Sequence, residues 1–238
     1  MASIIRQLRR SFLSEGRLKR YFFYAIGEIL LVVIGILIAI QVNNLNNRRL
    51  ERIQAKQIYT HIGEQIREDR TELEKAKGIN AYFSSTYDII NGILSARDQK
   101  RQDTLAYLAM GLSQYSDFRR SSNIYQTLVN SGDIKLLKNM QVTNSLQKLE
   151  MTYNHINQIE DIHWEVIINE LSPVLRGVIN YSTLQVVQPD QLYSVEMQNI
   201  VIESIFLTRA KDSVYNAALR DISILLNALN DEVPPSDQ

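Results

Sequence analysis

Tyr21–Val42 reads YFFYAIGEILLVVIGILIAIQV, and this stretch decides the architecture. Its 22 residues carry one charge, Glu28. As an α-helix it reaches about 33 Å, enough to cross a hydrocarbon core of roughly 30 Å. Apolar side chains occur all around the helix, whereas a core helix of a soluble protein shows one apolar stripe. A cleaved leader has a shorter apolar region ending at small residues. This one runs on into Gln41, Val42, Asn43 and Asn44, so a retained membrane anchor is expected.

Working outward, the flanks set an orientation. Residues 1–20 carry Arg6, Arg9, Arg10, Arg17, Lys19 and Arg20 against Glu15, a net +5. Beyond the apolar stretch stand Arg48, Arg49, Arg52 and Lys56. The excess of bases at the amino-terminal side places that end in the cytoplasm. The aromatic run Tyr21–Tyr24 suits the interface. Residues 1–20 form a basic cytoplasmic arm, with Ile4, Ile5, Leu8, Phe12 and Leu13 at amphipathic spacing. The arm has no room for an output domain. Residues 43–231 form the extracytoplasmic domain and residues 232–238 a flexible tail.

Two segments resemble a known family. One is Tyr24–Asn44, YAIGEILLVVIGILIAIQVNN; the other is Leu128–Asn139, LVNSGDIKLLKN. Both are similar to signatures of an uncharacterised family of single-pass proteins of Bacteroidota, a domain of unknown function numbered 6090. The family usually has Trp after the double Asn, where this chain has Leu45. The resemblance implies a bacterial inner-membrane protein and no activity.

Ala25, Glu28, Val32, Gly35, Ala39 and Val42 are spaced 3, 4, 3, 4 and 3, which is one helix face. Gly35 and Ala39 make a small-xxx-small step that lets two backbones approach in lipid. A carboxyl on that face suits a hydrogen bond to a partner helix. The expected partners are therefore the lipid bilayer and either a second copy or another membrane protein.

The remainder reads as an all-α antiparallel bundle of four main helices. Ile58, Ile62, Ile66 and Leu73 share a face, with no Pro or Gly between Gly35 and Gly63, so the membrane helix can continue into the domain. Gly78 is a candidate break, with Tyr82–Ala96 either the continuation of that helix or a second one, and Arg97–Asp103 is a turn. Shorter helices follow at Thr104–Ser113 and Ser122–Ser131. Gly132 suits a left-handed cap and Asp133 the next amino-cap. In the long helix after it, Leu146, Leu149, Tyr153 and Ile156 continue onto Glu160, His163, Ile167 and Leu171, while Ile159 and Ile162 offer a rotated apolar face. Pro173 should end or kink that helix. Residues 177–193 read as loop, with 183–187 a candidate strand. Leu207, Ala210, Val214, Ala218, Ile222, Leu225 and Leu229 mark the last helix.

Little chemistry is legible. The chain of 238 residues has no Cys, which excludes disulfides, a thiolate nucleophile and thiolate-held metals. Residues 43–238 carry 20 bases and 24 acids, so no basic surface points to nucleic acid. His155 and His163 lie too far apart on one helix to share a metal. Glu160 and His163, at i and i+3, are the candidate polar pair. Tyr82, Tyr87, Tyr107, Tyr115, Tyr125 and Tyr153 are expected in helix packing. Arg119 and Arg120 read as a solvated turn. No catalytic motif and no cofactor or metal fingerprint is present. The expectation is a non-enzymatic membrane-anchored assembly, scaffold or accessory subunit. Alternatives are an extracytoplasmic ligand-binding or sensor module acting through a partner, and an ion-coupled subunit using Glu28.

Overall fold

The structure, a computed structural model, describes residues 15–121 and 123–232. Residues 1–14 of the expected arm and residues 233–238 of the expected tail lie outside them. The chain divides into two compact units between Gln54 and Ala55. Helix α1 runs Glu15–Ser95 and supplies helix to both. Neither Gly78 nor Gly92 interrupts it, because an isolated glycine lowers helix propensity by only about 1 kcal/mol. The first unit is the apolar part of α1, with an 18-residue window of mean hydropathy 2.6 and no part of it buried.

In the second unit, α1 is followed by a 3₁₀ turn at Gln99–Arg101, α2 at Gln102–Gly111 and α3 at Ile124–Ser131. Helix α4 spans Met140–Val166, and α5 Ser172–Val178. A two-stranded antiparallel hairpin pairs β1, Ile179–Asn180, with β2, Gln185–Val186. Helix α6, Pro189–Leu192, leads to α7, Val195–Asn230. The expected strand is thus real but needs Ile179 and Asn180 as its partner.

Two apolar clusters stack along the bundle. The first joins Tyr59–Ala76 of α1, Val142–Ile156 of α4 and Val214–Leu229 of α7. The second joins Phe83–Leu94 of α1, Val166–Val178 and Met197–Ile205 of α7. Sequence numbers rise together in α1 and α4 and fall in α7. So α1 and α4 are parallel and α7 is antiparallel to both. Parallel neighbours need a return path. The chain makes it with α2 against the second cluster, an irregular stretch at 112–121, and α3 against the first. This corrects the expected four main helices: α1 absorbs two of them, and the fourth position is filled by the return path.

Several local expectations also change. Gly132 is left-handed as expected, φ 79°, but Asp133 opens a 3₁₀ turn, Asp133–Leu136. Leu137 must then reach the first cluster, and Asn139 becomes the amino-cap of α4, accepting from the backbone N–H of Gln141 and Val142. The α4 ladder gives way before Pro173 to a π turn at Ile167–Leu171, and Pro173 sits in the first turn of α5, where its missing N–H is tolerated. Tyr82 and Tyr107 are 66% and 68% exposed, not packed; Tyr87 and Tyr153 are buried. Tyr115 and Tyr125 are half-buried. Leu207 is only partly buried and Ala210 exposed, because the inward stripe of α7 runs through polar residues there.

Gly132→Ala should lower stability by about 1 kcal/mol, since an L-residue pays to enter the left-handed region and nothing crowds the added carbon. Thermal unfolding of the full chain in detergent checks this against Gly111→Ala, a helical position with open space, which should not destabilise.

Candidate functional site

The apolar stripe comes first. Ala25, Glu28, Val32, Gly35 and Ala39 all lie on α1, and every residue from Tyr21 to Val42 is exposed. A side-chain carbon added at Gly35 would meet nothing within 4 Å. Among the described residues, no side chain covers this face.

The second candidate is a polar layer between the two apolar clusters. The order of buried residues locates it. On α4, Ile156 belongs to the first cluster and Val166 to the second, with Glu160 and His163 between them. On α7, Thr208 and Lys211 lie between Ile205 and Val214, with Ser204 beside them. On α1, Asn80 lies between Ala76 and Phe83. The irregular stretch crosses at this level with buried Ser116 and Phe118.

The stretch is buried at Ser116 and Phe118, and backbone polar groups there, outside helix or sheet, must find partners. The layer, with Asp69 from the level of the first cluster, supplies them. The Glu160 carboxylate accepts the Phe118 N–H at 3.0 Å. The Lys211 ammonium donates to the Ser116 carbonyl at 3.1 Å. Asp69 of α1 accepts the Ser121 N–H at 3.1 Å and its hydroxyl at 3.2 Å. Asn80 donates to the Thr208 carbonyl at 2.8 Å and accepts the Ser116 hydroxyl at 3.2 Å. The Tyr215 hydroxyl hydrogen-bonds Glu160 and lies 3.2 Å from the Ser116 hydroxyl. Three helices thus hold one stretch of backbone.

The electrostatics follow from burial. Glu160 is pushed up to about 7 by desolvation, against the opposing pull of Tyr215, the Phe118 N–H and Lys211. Lys211 is pushed down to about 8 by desolvation, with Glu160 and Asp117 opposing. Its ammonium also sits 5.2 Å from the centre of the Tyr115 ring, a cation–π contact. His163 falls to about 3 through desolvation and the Lys211 charge, so it is neutral. Its Nε2 is 3.4 Å from the Tyr87 hydroxyl and its Nδ1 has no partner. Tyr115 stacks on Trp164 at 5.4 Å and meets His163 edge-on at 6.2 Å. Desolvation raises Asp69, with the Ser121 bonds and the Arg120 charge opposing. Tyr153 is raised by burial and then by Asp69; its hydroxyl completes no hydrogen bond.

Glu160 and His163 are therefore in one layer, but no hydrogen bond joins them; each serves a different neighbour. His61 and His155 are exposed. Among the described residues no group of three His, Asp or Glu could hold a metal. Sequence reasoning missed Asp69, Asn80, Ser116, Lys211 and Tyr215. One signal existed. Met197, Val201, Ser204, Thr208, Lys211, Tyr215, Ala218, Ile222, Leu225 and Leu229 alternate by 4 and 3, one continuous inward stripe.

Residues 28–210 match the family of unknown function DUF6090. The chain belongs to that family. The matched region opens at Glu28 and includes Asp69, Asn80, Ser116, Glu160 and His163. No curated protein and no solved structure matches the chain.

Glu160→Leu should cost about 2–4 kcal/mol, because the buried Phe118 N–H loses its acceptor and the Tyr215 hydroxyl its carboxyl partner. Glu160→Gln keeps an acceptor for Phe118 and should cost about 1–2 kcal/mol. Denaturation of both variants checks this order. Between about pH 4.5 and 7 folded Glu160 holds a proton the unfolded chain has released, so its share of stability falls as pH rises. His163 acts oppositely between about pH 3 and 6.5, and Lys211 restores stability from about pH 8 to 10.5. A dip in stability between pH 7 and 8, lost in Glu160→Gln, is the expected profile.

Proposed function

We propose that this chain is a bacterial single-pass inner-membrane protein and acts as a non-enzymatic assembly, scaffold or accessory subunit. Its amino terminus lies in the cytoplasm and its helical bundle in the extracytoplasmic space. The observation that carries the reading is the apolar stretch of α1, long enough to span a bilayer and exposed at every residue from Tyr21 to Val42. Lipid is the medium in which such a surface is stable. The charge bias of residues 1–20 supports the orientation.

Association runs through the face of Ala25, Glu28, Val32, Gly35 and Ala39. In lipid, small residues let helices approach, and a polar side chain gains by bonding across the contact. The bundle fits an accessory role better than catalysis. Its buried polar groups, with few exceptions, are taken up by backbone and side-chain partners of its own.

The test is the mass and composition of the particle extracted in mild detergent. A homo-oligomer or a stoichiometric second protein is expected; a monomer alone would overturn the reading and favour a ligand-binding bundle. Gly35→Leu and Glu28→Leu should each weaken association by about 5–30-fold, from roughly 1–2 kcal/mol per contact. Orientation is checked without background, since the chain has no Cys. A maleimide excluded by the inner membrane should label Asn230→Cys and spare Ser3→Cys; the reverse pattern would contradict the topology.

A further inference from the structure

The polar layer holds the irregular return stretch through groups that share protons, and the count of those protons matters. Glu160, Tyr215, Ser116 and Asn80 form a chain with three links: Glu160 to Tyr215, Tyr215 to Ser116, and Ser116 to Asn80. The Asn80 amide nitrogen is spent on the Thr208 carbonyl, so its oxygen only accepts. With Glu160 ionised, two hydroxyl protons serve three links. One contact then brings two oxygens together without a proton between them. With Glu160 protonated, the carboxyl donates to Tyr215, Tyr215 to Ser116 and Ser116 to Asn80, and all three links are filled. The same Glu160 oxygen still accepts the Phe118 N–H.

Burial acts in the same direction. Glu160 is buried, and no direct ion pair joins it to Lys211, which is spent on the Ser116 carbonyl. Opening the return stretch would let water reach the carboxylate and end both the desolvation and the unfilled link.

We propose that the stretch at residues 113–121 is a proton-operated latch, closed on neutral Glu160 and loosened when Glu160 ionises. The titratable groups set against Glu160 are Lys211 and Tyr215 of helix α7 and Tyr115 and Asp117 of the latch. In the same layer lie His163 of α4 and Asn80 of α1, neither of them charged at neutral pH. Lys211 works against the latch by stabilising the carboxylate, and Asp117 works for it. The working range is that of a carboxyl pushed up to about 7, so loosening falls between mildly acidic and neutral pH. The latch covers Lys211 and His163 through Tyr115, which stacks on Trp164. Opening would uncover that aromatic and cationic floor.

The chain's single Trp is therefore a built-in reporter. The test uses the full-length chain in detergent, with amide hydrogen exchange read on residues 113–121 and Trp164 emission read in parallel from pH 6.0 to 7.5. Exchange is corrected for its intrinsic pH dependence. The ratio of wild-type to Glu160→Gln opening constants isolates Glu160 from His163 and Lys211. That ratio should rise about eightfold across the range. Ser116→Ala removes the link that the ionised state leaves unfilled while Tyr215 still donates to the carboxylate, so it should move the Trp164 midpoint to lower pH, which keeps the test independent of how well the Gln variant folds. A flat ratio, a midpoint unmoved or raised by Ser116→Ala, or exchange at 113–121 that rises only together with residues 140–166 would each overturn the latch.

Discussion

The hydrogen bonds that Glu160, Lys211 and Asp69 make to the backbone of residues 116–121 are the constraint on which the bundle rests. Helices α1 and α4 are parallel, and a short loop cannot join parallel helices. The chain must travel back along the bundle. It does so in the fourth position, where α2 and α3 are helical but the crossing between them is not. Where that crossing is buried, at Ser116 and Phe118, it leaves N–H and C=O groups in apolar surroundings, each costing about 1–3 kcal/mol if unpaired. Side chains from all three long helices meet that demand, and the same choice places an acid and a base inside the protein.

That solution has consequences for both clusters. Each polar residue in the layer takes an inward position that Leu or Ile would otherwise hold, so the core is split in two rather than continuous. Replacing such a layer by apolar residues often stabilises a fold, whereas removing one member costs heavily. Here the apolar alternative is closed, because the crossing backbone would remain unpaired. The apolar part of α1 stands apart from this scheme. Its backbone is satisfied within the helix, and its exposed face asks for lipid or another helix rather than for a core.

The all-α class, the apolar helix and most helix positions were legible from periodicity alone. The polar layer was half legible. Glu160 and His163 fall on the strict continuation of the α4 stripe, and their inward position could be read. Their partners could not. Lys211 and Tyr215 approach from α7 and Ser116 from the return path, and no local pattern joins positions so far apart in sequence. Leu207 and Ala210 misled for a related reason: an apolar residue beside a polar one is taken as the inward one, and here the polar Thr208 and Lys211 point in. The parallel pairing of α1 and α4 was hidden because Gly78 looked like a break.

Amide protection at Phe118 and Ser121, measured at pH 6 on the full-length chain, tests the buried-crossing claim most directly. These two amides lie outside every helix and strand. If Glu160 and Asp69 hold them, their protection at this pH, where the latch is mostly closed, should exceed that of the hairpin turn at 181–184 by at least about a hundredfold. Exchange as fast as that of the exposed hairpin turn at 181–184 would contradict the claim, and the polar layer would then lose its reason for being buried.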